Sequence, residues 1–81
     1  MAATREKIRR WLETARERGA THMVVRCDTF DWEDYPSYIM PGDDPKKLRD
    51  SPGEMQKVME CYSMALSDEE QLAEFRALHW E

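Results

Sequence analysis

The chain has 81 residues, of which 41% are hydrophobic and 36% charged, with a formal net charge of −5. A chain this short makes one domain with a thin margin of stability, but three Trp, three Tyr, two Phe and six Met supply the bulk for a core and argue against whole-chain disorder. The acidic balance argues against general nucleic-acid binding, which needs cations for the phosphates, and no apolar run is long enough for a signal peptide or a membrane span.

Residues 4–19 predict the first helix. Thr4 can cap it, and Ile8, Trp11, Leu12 and Ala15 recur at helical spacing, with Gly19 as the stop. Arg5, Lys7, Arg9, Arg10, Arg16 and Arg18 flank that stripe and read as a solvated face. "THMVVRCD" follows at once. Met23, Val25 and Cys27 alternate with His22, Val24, Arg26 and Asp28, the period of a strand. "YPSYIMP" reads as a second strand, and Pro36 points to an edge position. The run between them, "TFDWED", then connects an antiparallel hairpin. Asp43 or Asp44 can cap a short helix that has Pro45 at its first position.

Residues 55–66 carry two patterns. Met55, Val58, Met59, Tyr62 and Leu66 fit a helical stripe. As a strand, Val58, Glu60, Tyr62 and Met64 would share one face, and Met59 and Cys61 the other. A lone hairpin needs a third strand for stability, which favours a strand over 56–63. Ser67 and Glu70 form a capping box that opens a last helix carrying Leu72, Phe75 and Leu78. The expected fold is a single α+β domain over 1–81, in the order α-β-β-α-β-α. Its three-stranded antiparallel sheet should have one face covered by helices through Ile8, Trp11, Leu12, Leu72, Phe75 and Leu78.

The charge is unevenly spread. Residues 1–27 carry seven Lys/Arg and three Glu, whereas 28–44 carry six Asp/Glu and no Lys or Arg. Cys27 and Cys61 make no metal or redox spacing, and with His22 and His79 they complete no zinc pattern. Buried, reduced thiols in a cytoplasmic protein are the plain expectation.

The densest stretch is "RCDTFDWEDYP", residues 26–36. Asp28, Asp31, Glu33 and Asp34 offer hard oxygen ligands, but the acid spacing of a calcium loop is absent, and a metal nuclease would need a base and a basic substrate track. Read as a plain turn, Asp28 and Asp31 would make local hydrogen bonds while Phe30 and Trp32 fold onto the core. Read as an interface, Phe30, Trp32 and Tyr35 are rigid anchors inside an acidic rim.

The run "GATHMVVRCDTFDWEDYPSYIMPGDD", with "MQKVMECYSMALSDEEQLAEFRALHW", resembles a group of short bacteriophage and prophage proteins. These share a basic first helix, a Gly-Ala-Thr-His entry into a strand and an Asp-Thr-Phe-Asp-x-Glu-Asp-Tyr-Pro loop. In them the segment matching 56–64 is richer in valine, which supports the strand. The resemblance brings no catalytic motif. It implies a phage accessory role in an infected bacterial host, where neutralising a defence system is common.

Joined to the loop chemistry, this gives a non-enzymatic inhibitor that needs no cofactor or metal. It would bind a host defence protein, such as a CRISPR effector, or another nucleic-acid-handling complex with a basic surface, through Asp28, Phe30, Asp31, Trp32, Glu33, Asp34 and Tyr35. One alternative is a sponge for a nucleotide signal, with the phosphates held by Arg9, Arg10 and Arg16. Another is a small metal-dependent enzyme. The small core is also compatible with a homo-oligomer.

Overall fold

The computed structural model describes residues 3–81. Six elements follow in the order α1 (Arg5–Glu17), β1 (His22–Asp28), β2 (Glu33–Ile39), α2 (Pro45–Asp50), β3 (Gln56–Ser63) and α3 (Asp68–Leu72). The strands form one antiparallel sheet in the order β2-β1-β3. The α+β class, the order of elements and the strand over 56–63 are those expected. No helix among the described residues is long and apolar enough to cross a membrane.

Helix α1 starts where the Thr4 side chain accepts a hydrogen bond from the Lys7 amide at 3.1 Å. It stops in a Schellman turn. The Gly19 amide donates to the Arg16 carbonyl at 3.1 Å, and the Ala20 amide to the Ala15 carbonyl at 2.9 Å. The turn needs Gly19 at φ +75°, where a side chain would be strained. The stop is abrupt, and β1 begins at His22, so the helix folds straight back onto the sheet. Ile8, Leu12 and Ala15 then meet Met23, Val25 and Tyr62 in one buried cluster. Helix α2 is capped by Asp44, with Pro45 in its first turn, and α3 by Ser67, whose hydroxyl accepts from the Glu70 amide at 3.2 Å.

The helices do not all cover one face, as the sequence reading expected. Val24, Ile39 and Cys61 form a second cluster on the opposite face, roofed by Leu48 of α2 and by Trp80. Sealing both faces explains why His22, Met23, Val24 and Val25 are all buried, where the alternation expected of β1 would bury every second residue. β2 lies at an edge, where Pro36 costs no ladder bond on its outer side.

The alternation expected along β3 also fails, for a definite reason. Val25 pairs with Glu60 and Arg26 with Val58, so Met59 is the extra residue of a β-bulge. The bulge resets the parity of the strand. Met59 packs with Tyr62 against α1, while Val58 packs with Cys61 on the α2 face.

The last helix is shorter than expected. It ends at Leu72, and only Leu72 of its expected stripe packs on the core. Phe75 is 98% exposed and Leu78 53% exposed. The chain runs on as an irregular strap instead. The Cys61 amide donates to the Ala77 carbonyl, and the His79 amide to the Cys61 carbonyl, both at 2.9 Å. Ala77 replaces Phe75 and Leu78 in the core. Gln71, fully buried, closes the outer edge of β3 above this strap. Its amide oxygen accepts from the Ser63 amide at 2.7 Å, and its amide nitrogen donates to the Ser63 carbonyl at 2.8 Å. One side chain thus stands in for a strand partner.

Candidate functional site: the acidic aromatic loop

The β1–β2 connection is a built loop. The Asp28 carboxylate accepts from the Phe30 amide at 2.8 Å, and the Asp31 carboxylate from the Glu33 amide at 3.0 Å. These are the local turn bonds expected of aspartates at such positions. The Trp32 amide donates to the Asp28 carbonyl, and the Thr29 amide to the Met55 carbonyl, both at 2.7 Å. The loop is therefore tied to itself and to the segment that enters β3. Trp32 pays for this closure with φ +60°, in the left-handed region that costs a side-chain-bearing residue about 1–2 kcal/mol.

The seven candidate residues divide into three groups. Phe30 (79% exposed), Asp31, Trp32 (55% exposed) and Glu33 form an exposed tip. The expectation that Phe30 and Trp32 would fold back onto the core, as a plain turn requires, is not met. The Lys57 ammonium lies 5.6 Å from the centre of the Trp32 ring, which holds the indole at the surface. Asp28 serves the turn. Asp34 and Tyr35 enter β2 and are half-buried. The Asp34 carboxylate accepts from the Ala3 amide at 2.8 Å. The Tyr35 hydroxyl bonds the Gln56 side chain, and the Arg26 guanidinium lies 5.4 Å from the Tyr35 ring centre. Sequence reasoning could not separate these groups, because which residues belong to the tip depends on the register at which β1 and β2 begin to pair.

The alternative anion site on α1 is already matched by acids. Arg10 contacts Glu6 at 2.9 Å, Arg9 lies 4.0 Å from Glu69, and Arg16 contacts Asp68 at 2.7 Å. Arg16 also donates to the carbonyls of Met64 at 3.1 Å and Leu66 at 2.8 Å. It fastens the β3–α3 connection to α1, which the reading of a solvated face had missed.

Both thiols are free and buried. Burial pushes the Cys61 thiol up to about 12, and burial, followed by the Asp34 carboxylate, raises Cys27 as well. Neither is poised as a nucleophile, which would need a lowered value. His22 is buried, with Nε2 2.8 Å from the Glu81 carbonyl oxygen, so this nitrogen carries the proton. Among the described residues no group of three or more His, Cys, Asp or Glu could hold a metal ion. The chain matches no family model, no curated protein and no solved structure.

Proposed function

We propose that this protein is a non-enzymatic binding protein that inhibits a bacterial antiviral defence system by docking its β1–β2 loop on a basic surface of a host protein. The observation that carries this reading is Phe30. A large aromatic side chain stands 79% exposed on a loop held by four internal or flanking hydrogen bonds. An apolar ring left in water by a rigid loop stabilises nothing in the monomer, whereas buried in a partner it is worth about 1.5–3 kcal/mol. Asp31 and Glu33 flank it with charge that would steer the loop to cations. The strained backbone at Trp32 is of the kind that concentrates at binding sites. The proposed partner class, a CRISPR effector or another nucleic-acid-handling complex, follows from the basic channels of such proteins and from the resemblance to phage proteins.

The test is the plating efficiency of a phage on bacteria that carry an active defence system and express this protein. Wild type should restore plaques on at least one strain of a panel of such systems. The variant Phe30→Ser/Asp31→Lys/Glu33→Lys should not. If that variant restores plaques as well as wild type does, the loop is not the inhibitory surface.

A further inference from the structure

An open groove of about 580 Å³ runs beside β3, between α2 and the strap that follows α3. Pro52, Val58, Leu78 and Trp80 give it apolar walls, and Arg49, Lys57 and Arg76 are its charged lining. No carboxylate lines it. In a chain of net charge −5 this is a local reversal of sign. Arg49 is partly matched by Asp50 at 3.1 Å and lies 5.6 Å from the Trp80 ring centre. Lys57 and Arg76 make no ion pair among the described residues.

The groove borders an incompletely covered strand edge. β3 is the outer strand on this side of the sheet. Its later half is closed by Ala77, His79 and the Gln71 amide. From Gln56 to Met59, among the described residues, the one hydrogen bond arriving from beyond that edge is from Arg76 Nε to the Met59 carbonyl at 2.8 Å. An edge strand with free backbone groups is a template for a further strand, and pockets beside it select the added side chains.

We propose that this groove takes an acidic, extended segment of a partner protein, which adds a strand to β3 between Gln56 and Met59. Side chains of an extended segment point alternately to opposite sides. Apolar residues of the segment would lie over Val58, Leu78 and Trp80, and carboxylates would meet Lys57 and Arg76. The strand edge favours a peptide over a nucleotide. A nucleotide could use the cations and Trp80 but would leave the backbone of β3 unused. The tip of the acidic loop does not line the groove, and Lys57, 5.6 Å from the Trp32 ring centre, is the one lining residue that also touches that tip among the described contacts.

The experiment is a titration of the isotope-labelled protein, followed by amide chemical shifts, with a capped octapeptide of alternating Glu and Val. Saturable shifts should centre on residues 56–59 and on the Trp80 indole. A Lys–Val octapeptide should give none. Methylating alternate backbone nitrogens of the Glu–Val peptide should weaken binding at least tenfold, because strand addition needs those donors. Lys57→Glu with Arg49→Glu should also weaken it at least tenfold at an unchanged melting temperature, whereas Asp31→Lys with Glu33→Lys should not weaken it. The proposal is overturned by an absence of shifts at about 1 mM peptide, the weak end of measurable affinity. It is equally overturned by equal binding of the Lys–Val or N-methylated peptide, or by a response to adenosine monophosphate with none to the Glu–Val peptide.

Discussion

Replacing Gln71 by leucine should be clearly destabilising. The side chain is fully buried and bonds both backbone groups of Ser63, with a third bond from its amide nitrogen to the Ser67 carbonyl at 3.2 Å. Leucine has similar size but no polar atoms, so the Ser63 amide would stay buried without a partner, while the Ser63 carbonyl would keep only the Leu66 amide at 3.3 Å. The orphaned amide costs about 1–3 kcal/mol and the lost bond to the carbonyl about 1 kcal/mol, and the added apolar contact of leucine returns about 1 kcal/mol. The expected net loss is about 2 kcal/mol, or roughly 8–16 °C in melting temperature for a domain of this size. Thermal unfolding followed by circular dichroism measures it directly. A drop of less than about 4 °C, corresponding to under 1 kcal/mol, would refute the view that Gln71 substitutes for a strand partner.

Trp32→Gly should leave the melting temperature within a few degrees of wild type, because relief of the left-handed strain offsets the greater freedom of the unfolded chain; partner binding should weaken by at least tenfold. Arg16→Ala should lower stability by about 1–3 kcal/mol, since its loss frees two carbonyls and Asp68, while Arg10→Ala, at an exposed pair, should change it by less than about 0.5 kcal/mol in denaturant titrations. Neither thiol should react with Ellman's reagent at pH 8 in the folded protein, and both should react once it is unfolded. The Cys61 thiol titrates higher in the folded than in the unfolded chain, so the folded state holds the extra proton between those values. Its contribution to stability is therefore complete below the ordinary thiol value of 9.0 and is lost as pH rises from there to about 12, which urea titrations across that range would detect.

Much of the fold was legible because local signals agreed. Thr4, Asp44 and Ser67 cap the helices that their positions predicted, and Pro36 lies in an edge strand. The errors arise where one residue's role depends on distant chain. Phe75 and Leu78 continue the helical stripe of Leu72 in spacing alone. The structure instead ends α3 after five residues, because the next segment bonds to Cys61 on the edge of β3. The β-bulge at Met59 carries no local sequence mark, so the faces of β3 were misassigned. The acidic loop was recognisable by composition. Its division into an exposed tip and anchored flanks was not, because Asp34 and Tyr35 are held by Ala3 and Gln56, both far away in sequence. The basic groove was invisible for the same reason: Arg49, Lys57 and Arg76 come from three separate segments.

The most direct test of the proposed function is affinity capture from bacterial lysate with immobilised wild type and with Phe30→Ser/Asp31→Lys/Glu33→Lys, side by side at low and high salt, after both are shown to melt at the same temperature. The account predicts a defence-related or nucleic-acid-handling protein with a basic surface that wild type retains, that high salt weakens and that the variant fails to retain. Identical retention by wild type and variant, or a retained species that is a small nucleotide released on denaturation, would contradict it.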